Sequence, residues 1–266
     1  MTEYKYIADN AWKAARERLT LLEMAADPGT IRTLGLIGVQ AGWHCLEVAG
    51  GGGSIAAWLC DQVGPGGHVM ATDLDPRFLE AITAPNLEVH RHNILTDPLP
   101  DAAFDLVHVR ALLAFLPHPD QVIRTLVAAL KPGGWLLVEE PDQDSAIPDP
   151  SMEPGATALS QKGWEALLSF ARSRGYDTRL GRRLYHDACS AGLVDVQAEG
   201  HVSMQIGGTP AVRFWRVTLE QQQDHLLAAG LLTQAELADY RTLLESPEYR
   251  WLSPVAMSVW GRRPSV

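Results

Sequence analysis

Basic residues are in short supply: 22 lysines and arginines face 32 aspartates and glutamates, a formal charge of −10 at pH 7. A phosphate-rich partner would want a basic face, and the single dense basic run is Arg179-Leu180-Gly181-Arg182-Arg183. Nucleic acid is therefore not an expected partner. Cysteine is scarce too. Cys45, Cys60 and Cys189 are odd in number, far apart and form no Cys-x-x-Cys pair, which reads as small apolar residues in a reducing, cytoplasmic setting. No uninterrupted apolar run reaches membrane-spanning length, and Met1-Thr2-Glu3-Tyr4-Lys5 lacks the basic-then-apolar order of a secretion signal. No membrane partner is expected. His-Glu-x-x-His and related ligand spacings are missing as well. His90 and His92 share a strand face but want a third ligand, so no metal is expected.

What is present is glycine at one place. Leu46-Glu47-Val48-Ala49-Gly50-Gly51-Gly52-Gly53-Ser54-Ile55-Ala56 reads as a buried strand entering a glycine loop and then a helix. Four consecutive glycines permit conformations that a Cβ forbids and allow close approach to a ligand. The helix aims its unpaired N–H groups and partial positive charge at the same spot. Such a turn cradles a cofactor. Gly51-x-Gly53-x-x-Ala56 fits the dinucleotide fingerprint, with Asp73 about twenty positions on as a ribose-binding acid. Two further features bear on which cofactor it is. Glu47 stands four residues before Gly51, giving Glu-x-Ala-x-Gly-x-Gly, and Leu130-Lys131-Pro132-Gly133-Gly134-Trp135 joins a helix end to a late strand.

Strands are expected at Trp43–Val48, His68–Asp73, Leu87–His92, Phe104–Arg110, after Gly134, at Leu193–Val202 and at Pro254–Gly261. Helices are expected at 9–26, Thr30–Leu36, Ser54–Val63, Pro76 to about Ala84, Asp120–Leu130, 159–175, about 181–191 and within about 210–246. Asp27-Pro28-Gly29 is read as a helix stop and the proline-rich stretch 141–157 as a linker. This alternation implies a parallel sheet covered on both faces, with ligands over the carboxyl ends of its strands.

At Glu47 to Gly53, Asp73 and Lys131 to Gly134 the chain resembles the class I S-adenosylmethionine (SAM)-dependent methyltransferases of small-molecule type. Ala49 departs from the family's first glycine. The resemblance implies an α/β fold: a doubly wound, seven-stranded, mostly parallel sheet, last strand antiparallel, with helical lid insertions. Residues 1–40 would be an amino-terminal lid, 41–141 the SAM-binding core, 142–192 a linker and helical insertion, and 193–266 the completion of the sheet with a cap at about 210–246. The implied cofactor is S-adenosyl-L-methionine, with S-adenosyl-L-homocysteine as product.

By family position, Asp73 would hold the ribose hydroxyls and Leu74 flank the adenine. Asn93, where the family usually has aspartate, and Ile94 would also meet the adenine. Ala49, Gly51 and Gly53 would run beside the methionine tail. Glu47 would order the loop or reach the tail's ammonium through water. Arg110 would clamp a carboxylate or bond helix ends, and Tyr6 would fold over the cofactor tail or tether the terminus. The catalytic residue is left unknown, with Glu140, Asp142 and His186 as positional candidates for a base. The sequence lacks Asn-Pro-Pro-Tyr after the fourth strand, having Val109-Arg110-Ala111-Leu112 there, which favours a small-molecule methyl acceptor, with transfer to oxygen expected. A homodimer is left open. A SAM-binding protein with a non-methylating catalytic or regulatory role and a nicotinamide-dependent oxidoreductase are the alternatives. The latter would leave the Lys-Pro-Gly-Gly turn unexplained and lacks a Tyr-x-x-x-Lys pair.

Overall fold

The computed structural model describes residues 10–265. In chain order its elements are α1 (Ala15–Ile37), β1 (His44–Val48), α2 (Ser54–Val63), β2 (His68–Asp73), β3 (Leu87–Arg91), β4 (Phe104–Arg110), α3 (Pro119–Ala129), β5 (Leu130–Asp142), β6 (Ile147–Pro148), α4 (Pro154–Ser173), α5 (Leu180–Ser190), β7 (Val194–His201), β8 (Met204–Ile206), α6 (Pro210–Ala228), α7 (Gln234–Glu245), β9 (Arg250–Leu252) and β10 (Val255–Arg262). They divide into a sheet unit (Ala26–Pro141, Leu180–His201 and from Ala256 on) and a helical unit (up to Ala25, Asp142–Arg179 and Val202–Val255).

The sheet unit holds seven strands in the order β3-β2-β1-β4-β5-β10-β7. β1 pairs in parallel with β2 and β4, β2 with β3, and β4 with β5. β10 runs antiparallel to β7, and its end meets the start of β5 through reciprocal bonds of Gly133 N–H and Arg263 N–H. This is the doubly wound, mostly parallel sheet expected from the sequence. Four of the five β1 residues and five of the seven in β4 are buried, as strands covered on both faces must be. On one face Leu34 and Ile37 of α1 and Ile55, Leu59 and Val63 of α2 pack on Cys45, Val69, Leu106 and Leu137. Each such fully buried aliphatic side chain contributes about 1.5–3 kcal/mol. The strand order reverses between β1 and β4, which opens a ligand crevice at their carboxyl ends.

Three expected elements differ. Asp27-Pro28-Gly29 does not stop α1, which runs on through Pro28. An interior proline forfeits a hydrogen bond and costs about 3 kcal/mol. Here Thr30 and Thr33 hydroxyls bond back to Ala26 and Gly29 carbonyls, and Asp27 and Thr30 are anchored to the sheet. The helix expected from Pro76 to Ala84 shrinks to one 3-10 turn, Pro76–Phe78, because the chain instead lays Leu79 and Ile82 against the glycine loop. The proline-rich stretch at 141–157 contributes β6 and the start of α4.

The helical unit packs α4, α6 and α7 around Trp164, Leu167, Phe170, Leu219, Leu226, Tyr240 and Trp251. α7 opens with a capping box in which Thr233 and Glu236 satisfy each other's backbone N–H. A small antiparallel sheet, β6-β9-β8, completes the unit. Its strands of two or three residues are too short to show a periodic signal.

Candidate functional site

The loop after β1 is built on left-handed backbone. Gly51 and Gly53 have φ of 56° and 92°, and Ala49 takes φ 54°. The alanine thus adopts the turn that glycine would take, at a steric cost of roughly 1–2 kcal/mol. A second strained alanine, Ala111 at φ 53°, follows β4 on the other side of the switch point. Strain of this kind gathers where a site needs it. Gly53 favours glycine through its φ of 92°, and a Cβ there would also displace the tip of Ile82, whose Cδ1 would lie 2.3 Å away.

The loop's own amides are largely spent. Gly50 N–H donates to Thr72 O, Gly51 N–H to Asp73 Oδ2 at 3.1 Å, and Gly53 N–H to Gly50 O. What remains for an anion is the first turn of α2, whose N-terminus carries no side-chain cap. The sequence points to both the loop amides and the helix end; of the two, the helix end is the one without internal side-chain partners.

Asp73 closes β2 with both oxygens on backbone, Oδ2 on Gly51 and Oδ1 on the Asp75 N–H at 2.9 Å. Burial raises its carboxyl above the usual range, while the Asp75 and Gly51 amides pull the other way. It therefore ties the glycine loop to the next turn, and each oxygen keeps acceptor capacity for a further donor. Asp75 pairs with Arg77 at 2.8 Å. Leu74 is 47% exposed beside Asp73. At the end of β3, Asn93 Oδ1 accepts from Leu95 N–H at 3.1 Å and its own N–H donates to Asp97. The second lone pair of that carbonyl and the carboxamide NH2 both stay open to a ligand. Ile94, next to it, is half-buried.

A buried polar stripe crosses the α1 face of the sheet, and sequence reasoning missed its centre, His108. Glu47 and His108 are register partners on β1 and β4, and Arg110 and Glu139 on β4 and β5. His108 Nδ1 lies 2.6 Å from Glu47 Oε2, and Nε2 lies 3.3 Å from Glu139 Oε2. Glu139 also accepts from the Thr30 and Ser258 hydroxyls. Arg110 donates to Thr30 and to Asp27, each at 2.8 Å. Burial opposes a charge on His108, but Glu47 and Glu139 outweigh it and raise its pKa. Burial likewise opposes the Glu139 carboxylate, yet His108, then Arg110 and Ser258, hold it low. Glu47 is thus an interior residue rather than a solvent-facing one, and Arg110 anchors α1 in this structure.

The three base candidates stand in different surroundings. Glu140 Oε1 accepts from the Leu112 and Leu113 amides at 2.8 and 2.6 Å, ordering the segment after β4. Asp142 is buried at the end of β5, and His186 sits exposed on α5 against Ser190. Tyr6 lies outside the described residues. Among the described residues no cluster of three or more His, Cys, Asp or Glu could hold a metal, and no helix is long and apolar enough to cross a membrane.

Comparisons with known proteins bear on family and fold. A family model described as a methyltransferase domain matches residues 46–138. The ubiquinone/menaquinone biosynthesis C-methyltransferase UbiE of Pseudomonas putida is 38% identical over 116 residues, 41% of this chain and 45% of that enzyme. The chain thus spans under half the length of that relative. Among solved structures, phosphoethanolamine N-methyltransferase 2 of Haemonchus contortus in complex with S-adenosyl-L-methionine superposes with a TM-score of 0.53 at 16% identity, covering 98% of this chain and 56% of that one.

Proposed function

We propose that this chain, a class I SAM-dependent methyltransferase by its domain and fold, moves a methyl group from S-adenosyl-L-methionine to a small-molecule acceptor and releases S-adenosyl-L-homocysteine. The observation that carries the reading is a juxtaposition: a left-handed bend at Ala49, Gly51 and Gly53, the uncapped start of α2, and Asp73 fastened to that bend from the neighbouring strand. Asp73 takes the ribose hydroxyls. Leu74 and Ile94 bracket the adenine, and the Asn93 carboxamide donates to a ring nitrogen. The first turn of α2 receives the tail carboxylate, and Glu47 and Arg110 flank the tail's charges.

When bound, the cofactor supplies a methyl group on a sulfonium sulfur, open to in-line attack. The protein's task is to hold that methyl and the acceptor in line and to keep water away. Orientation of this kind is worth about 7–11 kcal/mol. The strained, internally bonded loop suits that task, since it need not reorganise on binding. Oxygen is our first reading of the acceptor atom. Carbon is the second, favoured by the named activity of the Pseudomonas relative. A cytoplasmic location accords with three free cysteines.

The test offers methyl-labelled SAM with a panel of phenols, quinols and carboxylic acids, and locates the label in the product by NMR. Labelled methyl on oxygen supports the first reading and on carbon the second. Tight binding with no transfer to any acceptor would favour a non-methylating role.

A further inference from the structure

The buried stripe is not electrically balanced. Asp27, Glu47 and Glu139 supply three carboxylates, while His108 and Arg110 supply two cations. Both ring nitrogens of His108 face carboxylate oxygens, so both must donate and the ring is an imidazolium. Thr30 and Ser258, which complete the stripe, are neutral. One negative charge is therefore left over. Glu47, His108 and Glu139 have side chains no more than 10% exposed, where water and salt screen weakly. Glu47 stands two residues before the strained Ala49. At the second strand end Asp73 and Asp75 are matched in number by Arg77 and Arg91, so that end leaves the excess as it is.

We propose that this stripe selects the site's ligand by charge, favouring the cationic sulfonium cofactor over its neutral thioether product. The inference rests on the functional reading above. In SAM the ammonium and carboxylate of the tail cancel, so the sulfonium leaves one net positive charge. Loss of the methyl removes that charge and changes little else. A fixed negative excess at the end of β1 acts on this difference and hardly on the shared adenosine and tail. The site then loosens its hold on the product at the moment the methyl departs.

The test measures calorimetric affinities of the whole protein for SAM, for S-adenosyl-L-homocysteine and for sinefungin, whose amine restores a positive charge near the sulfonium position. Asp27→Asn neutralises the outer, half-buried end of the stripe and leaves Arg110 on Thr30; Asp27→Glu keeps the charge. A melting curve establishes that each variant is folded. In Asp27→Asn the ratio of SAM to homocysteine-product affinity should fall about threefold, the scale of one partly screened charge. Sinefungin should follow SAM, and Asp27→Glu should restore the wild-type ratio. An unchanged ratio, or an equal loss of all three ligands, would overturn the proposal. Wild-type protein that binds neither SAM nor its product overturns the functional reading itself, and this inference with it.

Discussion

Replacing His108 by leucine should strand two buried carboxylates, Glu47 and Glu139, that now share one imidazolium. Removing one partner of a buried ion pair costs about 3–5 kcal/mol, which for a chain of this size lowers the melting temperature by roughly 6–20 °C. The pH dependence is the sharper signature. In the wild type the raised pKa of His108 makes its contribution complete below its unfolded value and lost as pH rises through the folded one. The depressed pKa of Glu139 makes its contribution present above the unfolded value and lost as pH falls through the folded one. The network's contribution is therefore complete between the ordinary glutamate pKa of about 4.3 and the ordinary histidine pKa of about 6.5, and declines on either side. Within that window the wild-type contribution is level, whereas in His108→Leu burial acts on Glu139 without the imidazolium that offset it, so acid relieves the variant alone. Urea unfolding followed by tryptophan fluorescence at pH 6.5 and pH 5 should show the larger deficit at pH 6.5. A deficit below about 1 kcal/mol, or one equal at both pH values, would refute the reasoning.

Other outcomes follow from single residues. Asp73→Asn should weaken SAM binding by about 1–3 kcal/mol, roughly 5- to 150-fold, because a charged acceptor for the ribose is lost; unchanged affinity in calorimetry would remove Asp73 from the site. Gly53→Ala should destabilise the fold by about 2 kcal/mol or more through its positive φ and the clash with Ile82, seen as a lower urea midpoint. Ala49→Gly should be neutral or stabilising by about 0.5–1 kcal/mol, since it relieves left-handed strain; a clear loss of stability would contradict the strain assigned there. Asn93→Asp removes the carboxamide donor while keeping the bond to Leu95, so SAM affinity should drop several-fold, whereas full retention would point to the carbonyl as the adenine contact.

Much of the sheet unit is legible in the sequence because its strands are short apolar runs fenced by glycine and proline. His68–Asp73, Phe104–Arg110 and Ser54–Val63 carry the bounds that pattern alone suggests. Pro28 misleads because its cost is local while the compensation is tertiary: Asp27 and Thr30 hold the helix from a strand about eighty residues away. The Pro76 segment misleads for the opposite reason, since a good first turn is overridden by the packing of Leu79 and Ile82 on the loop. Within the site, the glycines and Asp73 are visible through spacing. His108 is not, since a lone histidine in an apolar strand carries no pattern; Glu47 and Glu139, both acids inside buried strands, were the available hint that a cation had to sit between them.

The central claim is that the bend after β1 and Asp73 together grip an adenosyl sulfonium. Native mass spectrometry of the protein offered equimolar SAM and NADH tests it most directly. One retained SAM per chain and no NADH is the expected result. Retention of NADH, or of neither, would contradict it.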